Sequence, residues 1–94
     1  MRKIRPDAAE FKRMYVRPAG RGQGIGRKMI EMRIEAAKAM GLKTILADTL
    51  KASTTMHTIY HDMGFHEIDR YPESHTAIHY PMAAPELIYF QRDL

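Results

Sequence analysis

The residues best placed to do chemistry in this chain lie between Pro18 and Arg27, where glycine stands at every second position, Gly20, Gly22, Gly24 and Gly26. A backbone without Cβ atoms lets a ligand approach the main chain closely. An apolar periodicity of helical spacing begins at Ile25, so the run ends on a helix start, where unpaired N–H groups and the positive dipole end favour phosphate. Arg21 and Arg27 are placed to add charge-assisted hydrogen bonds to the same anion. The expected guest is a cofactor bearing a pyrophosphate. The spacing matches neither G-x-x-x-x-G-K-[ST] nor G-x-G-x-x-G in any register. The alternative is a turn that merely joins strand to helix, at a considerable cost in backbone entropy.

Two histidine pairs, His57 with His61 and His75 with His79, have the i,i+4 spacing that can hold zinc. No cysteine supports them and H-E-x-x-H is absent, so no metal site is expected.

The elements that must position these residues follow from periodicity. Glu10 to Arg17 alternates imperfectly and ends before Pro18, which predicts a first strand. Ile25, Met29, Met32, Ala36 and Met40 predict one face of a helix, widened by Ile30, Ile34 and Ala37, with an Arg27–Glu31 pair and a stop at Gly41. Lys43 to Thr49 reads as a second strand, completing a parallel crossover. Ser53 to Met63 predicts a second helix with Met56, Ile59, Tyr60 and Met63 inward, Ser53 as its N-cap and Gly64 as its stop. Phe65 to Asp69 is a short strand, residues 70–85 a loop punctuated by Pro72, Pro81 and Pro85, and Glu86 to Leu94 a closing strand. The expected class is α/β, in the order strand, helix, strand, helix, strand, strand.

With 94 residues, 45% hydrophobic and 28% charged, the chain is one small domain with a single modest core. Its eight methionines read as adaptable core filler. The net charge of +4 is uneven, because residues 1–33 hold ten Lys/Arg against three Asp/Glu. Without a nucleic-acid motif or stacking aromatics among those bases, small anionic ligands are preferred over nucleic acid. No apolar stretch suits a signal peptide or a membrane span, so the expected location is cytoplasmic, with no membrane partner.

Val16 to Met29, V-R-P-A-G-R-G-Q-G-I-G-R-K-M, resembles the R/Q-x-x-G-x-G/A cofactor loop of the GNAT acetyltransferase superfamily, and Ile59 to Phe65, I-Y-H-D-M-G-F, resembles its helix-end signature. The resemblance runs from about residue 10 to 94. It implies a truncated GNAT-like fold with a mixed sheet: a basic segment at 1–9, an acetyl-CoA-binding core at 10–69, the loop 70–85 and the strand 86–94. It further implies that Arg21, Gly22, Gln23, Gly24, Ile25, Gly26 and Arg27 hold the pyrophosphate of acetyl-CoA. The pantetheine arm would bond the backbone of Met14, Tyr15 and Val16 between the first two strands.

The activity so implied is N-acetyl transfer to an amine of a small molecule or peptide by direct attack, with an oxyanion held near Tyr15 or Val16. Tyr60 stands at the position of a general acid and Glu10 at that of a general base. Their alternatives are a core tyrosine and a solvated strand-end carboxylate. Ser53 occupies the place of a CoA-contacting asparagine. The alternative activity is a CoA-binding module without catalysis, since strands and helices that precede Glu10 in the family are missing. The first strand would then keep a bare edge, from which a homodimer is expected.

Overall fold

The structure, a computed structural model of the chain, describes residues 1–11 and 24–94. Its elements are β1 (Arg2–Arg5), β2 (Ala8–Glu10), α1 (Ile25–Ala39), β3 (Thr44–Leu50), α2 (Thr54–Asp62), β4 (His66–Ile68), α3 (His75–His79), a 3-10 helix (Pro81–Glu86) and β5 (Leu87–Asp93). The five strands form one mixed sheet in the order β1-β2-β3-β5-β4. β2 and β3 pair in parallel around α1, as a crossover requires, and the other neighbours are antiparallel.

The basic segment at 1–9 takes on regular structure together with Glu10. These residues fold as a hairpin about a turn at Pro6–Asp7, with Arg2 opposite Glu10 and Lys3 opposite Ala9. A four-residue strand with one apolar side chain leaves almost no periodicity to read. Consequently the described strand ends at Glu10, where one was expected to begin, and the rest of the expected Glu10–Arg17 strand lies outside the described residues. Of the strand whose edge was expected to be bare, Glu10 is paired with Arg2 of β1, and residues 12–17 lie outside the described residues.

Both helix stops fall at the expected glycines. Gly41 and Gly64 take φ of +76° and +90°, where a Cβ would strain the backbone. In α1, Leu42 N–H donates to Ala37 O and Gly41 N–H to Lys38 O; in α2, Phe65 N–H donates to Tyr60 O and Gly64 N–H to His61 O. These paired bonds satisfy carbonyls that a helix end leaves open. The apolar contact that accompanies such a cap is the Phe65–Tyr60 ring pair, with centroids 4.9 Å apart.

The buried face of α1 is turned from the one expected. Ile30, Ile34 and Ala37 are buried, whereas Met32 and Met40 are 66% and 61% exposed. Two arcs of apolar residues flank each other on this helix, and the arc of two isoleucines and an alanine at i, i+4 and i+7 forms the core face. Methionine is therefore core filler only in part, with Met56 buried and Met82 almost fully exposed.

Alternation along β3 sends Ile45 and Ala47 to one face of the sheet and Leu46 to the other. The first face packs under α1 and α2 with Phe11, Met56, Tyr60, Phe65 and Phe90. The second is closed by Tyr71, Ala77, Leu87 and Tyr89. The stretch expected as an open loop at 70–85 is thus a second layer. α3 has five residues, too few to show a helical period, and it is started by Ser74, whose hydroxyl accepts from Ala77 N–H.

Candidate active site

The candidate site comprises the carboxyl end of β2 where it pairs with β3 and the start of α1, since ligands in open α/β sheets bind at the carboxyl ends of the strands. Pairing of the two strands runs from Ala8 opposite Thr44 to Glu10 opposite Leu46, then ends on the hydrogen bond from Phe11 N–H to Leu46 O, 2.9 Å. At the head of α1, Gly24 adopts φ +72° and accepts from Lys28 N–H at 3.0 Å. No side chain caps this end and its first turn holds no acid, so the leading N–H groups of Ile25, Gly26 and Arg27 are left for an anion. A Cβ added at Gly24 would meet nothing within 4 Å, so the ground for glycine there is the backbone angle alone. Arg21, Gly22 and Gln23, with Met14, Tyr15 and Val16, lie outside the described residues.

Arg27 does not pair with Glu31 along its own helix. Its guanidinium donates to Asp62 Oδ2 of α2 at 2.6 Å, and this hydrogen bond holds the exposed Asp62 carboxyl below the usual carboxylate range. Ser53 stands at the N-cap of α2, but its side chain makes no capping bond. His57 Nε2 lies 2.9 Å from Leu50 O.

Tyr60 is delivered into the centre of the molecule by α2, fully buried against Phe65 and Phe90. Its hydroxyl has no hydrogen-bond partner among the described residues. Burial, followed by the charge of Asp48, raises its pKa well above the usual phenol value, so the group stays protonated at neutral pH.

Glu10 is not a solvated carboxylate: it is 1% exposed. Oε2 accepts from Tyr71 Oη at 2.6 Å and His75 N–H at 3.2 Å, and Oε1 accepts from Arg2 at 3.2 Å. Arg2 also donates to Glu73 O at 2.8 Å, and Arg5 forms an ion pair with Glu73. Glu10 therefore ties the end of β2 to the segment that covers the second face.

Sequence reasoning missed Tyr71, Ser74, Asp48 and Tyr89, which line that segment and the adjacent strands. Ser74 Oγ donates to Asp48 Oδ2 at 2.7 Å and Thr76 Oγ1 to Oδ1 at 3.1 Å. The one available signal was an aspartate directly after the apolar run Ile45, Leu46 and Ala47 of β3. Among the described residues no group of three or more His, Asp or Glu side chains is arranged to hold a metal ion, and no helix is long and apolar enough to cross a membrane.

Comparison with known proteins agrees with this layout. Residues 1–67 match the acetyltransferase (GNAT) domain, so the N-terminal hairpin falls within the matched region. The chain is 40% identical over 62 residues to an uncharacterised N-acetyltransferase of Dictyostelium discoideum, covering 66% of this chain and 29% of that protein. The Bacillus subtilis acetyltransferase in complex with CoA superposes over 98% of this chain and 64% of its own, with a TM-score of 0.77 and 23% identity. A GNAT family acetyltransferase of Elizabethkingia anophelis with acetyl-CoA bound superposes over 94% and 61%, with a TM-score of 0.73 and 23% identity. The chain spans less than a third of that curated relative and under two thirds of either solved structure. With the crossover, the open helix start and the matched domain in agreement, this chain belongs to the GNAT acetyltransferase family.

Proposed function

We propose that the chain binds acetyl-CoA and takes part in acetyl transfer to an amine of a small molecule or peptide. The observation that carries this reading is the Tyr60 hydroxyl, buried without a partner among the described residues. A buried hydroxyl with no partner is rare and costs stability, which fits a group kept for a ligand. When bound, acetyl-CoA supplies an activated thioester carbonyl open to attack by a neutral amine. Arg21, Gly22 and Gln23, with the leading N–H groups of α1 at Ile25, Gly26 and Arg27, would hold its pyrophosphate. The backbone of Met14 to Val16 would line the pantetheine arm, and Ser53, its hydroxyl free of a cap, would add a hydrogen bond to the cofactor.

Tyr60 holds its proton at Oη at neutral pH and serves as the donor to negative charge developing beside it. Glu10, expected as the general base, suits a different task in this reading. Its carboxylate already accepts three protein hydrogen bonds, from Arg2, Tyr71 and His75, whereas a base needs a lone pair facing the acceptor. We assign it to holding the segment from Tyr71 to His75 in place.

A second reading, a CoA-binding module without turnover, is favoured by the share of its relatives' length that the chain spans. Calorimetric titration with acetyl-CoA, followed by thiol release against a panel of amines, separates the two. Binding with release is expected; binding without release would leave the module, and no binding would sink both.

A further inference from the structure

Helix α1 carries two apolar arcs, and the fold covers one of them. Ile30, Ile34 and Ala37 are in the core, whereas Met29 is half-buried and Met32, Ala36, Ala39 and Met40 are exposed. Met29, Met32, Ala36 and Ala39 follow one another at intervals of three, four and three, the a and d positions of a heptad. A helix with apolar residues on one stripe needs one packing surface, and a helix apolar all round is a buried one. The outer arc of α1 therefore has the pattern of a packed face with nothing from the described residues packed on it.

The spacing selects the shape of what would cover it. A strict a/d seam is the surface that one helix offers to another, at an interaxial distance of about 8–10 Å. Residues 29–39 extend for about 15 Å along the axis, roughly three turns. Towards its N-terminal half the seam opens into the hollow of about 390 Å³ lined by Met1, Met29, Met32, Arg33 and Ala36, which has room for a large side chain inserted as a knob. Unbranched methionines can adapt to such a guest. Towards the C-terminal half, Ala36 and Ala39 are small enough for a second backbone to come close.

Charge selects its chemistry. Lys28 and Arg33 stand at the g and e positions that flank the seam, and neither forms an ion pair among the described residues. Arg33 is half-buried, and its helical neighbours three and four positions away are Met29, Ile30, Ala36 and Ala37, none of them acidic. A half-buried charge without a counter-ion is costly, and a carboxylate brought by the covering helix removes that cost. A second copy of α1 cannot bring one. In a parallel pair Lys28 of one copy falls across from Arg33 of the other, and in an antiparallel pair the e positions meet, where α1 holds Gly26, Arg33 and Met40.

We propose that the outer face of α1 is a docking seam for an amphipathic helix of another protein, one with apolar residues at its own a and d positions and carboxylates beside them. The apolar knobs enter the methionine hollow, and a carboxylate pairs with Arg33. Docking there does not depend on acetyl transfer.

The test is a titration of isotope-labelled protein, followed by NMR at low salt, with a synthetic helical peptide of about three heptads carrying Leu at a and d and Glu at e and g. A counterpart with Lys at e and g is the control, and like charges at these positions keep either peptide from pairing with itself. Saturable shifts centred on Met29, Met32 and Ala36 are expected with the Glu peptide, and binding weaker by about tenfold or more with the Lys peptide. Met32→Gln, at an exposed position where the fold is kept, is expected to weaken the Glu peptide by about tenfold. Arg33→Gln is expected to bring the two peptides closer in affinity. No binding of the Glu peptide, equal binding of the two peptides, shifts centred elsewhere, or unchanged affinity in Met32→Gln would each overturn the seam. Should Arg33→Gln not fold, the comparison of the two peptides on the unaltered protein reads the charge. Self-association in light scattering that Met32→Gln abolishes would give the face to a second copy and overturn its assignment to another protein.

Discussion

The hydroxyl of Tyr60 separates stability from activity at the scale of one atom. Because it is buried without a partner, Tyr60→Phe removes a polar group that costs the fold free energy, and stability is expected to hold or rise by about 1 kcal/mol. Thiol release, in contrast, is expected to fall by about 100-fold through loss of a positioned proton donor. Denaturant unfolding and a turnover assay on the same variant check both halves. Full activity in Tyr60→Phe would remove Tyr60 from the mechanism. The phenols also set the alkaline limit of the fold. Tyr60 and Tyr71 have pKa values raised above the usual phenol value by burial, and Tyr71 further by its bond to Glu10. The unfolded chain then loses these protons first, so the folded state binds more protons and stability falls as pH rises past about 10. Unfolding midpoints measured from pH about 8 to 11 are expected to drop more steeply in the unaltered protein than in Tyr60→Phe.

Elements are held together here by a few polar ties. Glu10 joins β2 to Tyr71 and to the start of α3, so Glu10→Ala leaves Arg2 and the Tyr71 hydroxyl without their carboxylate. A loss of about 3 kcal/mol is expected, and a smaller one for Glu10→Gln, which keeps an acceptor. Thermal unfolding of both variants checks the order; equal stability in all three proteins would mean that the tie carries nothing. At the end of α2, Gly64 sits at φ +90° with Arg92 Nε 3.0 Å from where a Cβ would stand. Gly64→Ala should therefore cost about 1–2 kcal/mol, more than the same change in an ordinary turn. Gly41, at φ +76° with no atom within 4 Å of an added Cβ, serves as the comparison for backbone strain alone.

On the scale of the whole molecule, the question is what the outer strand does. β1 is one of the two outer strands of the described sheet, β4 being the other, and it carries Arg2, Lys3 and Arg5. Two such edges brought together would set like charges against each other, the device by which edge strands resist pairing. The homodimer was expected from the edge of a strand at Glu10–Arg17, of which residues 12–17 lie outside the described residues. Light scattering of the 94-residue chain at micromolar concentration and low salt is expected to give a monomer. A dimer that persists there would point to another surface. One candidate is the shallow hollow of about 390 Å³ lined by Met1, Met29, Met32, Arg33 and Ala36, in which no residue assigned to the site takes part.

The sequence by itself determined the crossover, both helices and their glycine stops, because these rest on local rules: a period of 3.6, a positive φ and a cap two residues deep. It also determined the family, since the glycine run and the Tyr60 to Phe65 signature are contiguous. Only the tertiary structure decided which arc of α1 is buried, because two adjacent apolar arcs look alike until a sheet is laid against one. Only the tertiary structure turned Glu10 from a solvated strand end into an anchor, since its partners at Arg2, Tyr71 and His75 come from across the chain. The same holds for residues 71–86. Their helices are too short for a period, and their place on the second face of the sheet, with Asp48 and Tyr89, is set by contacts that no local pattern encodes.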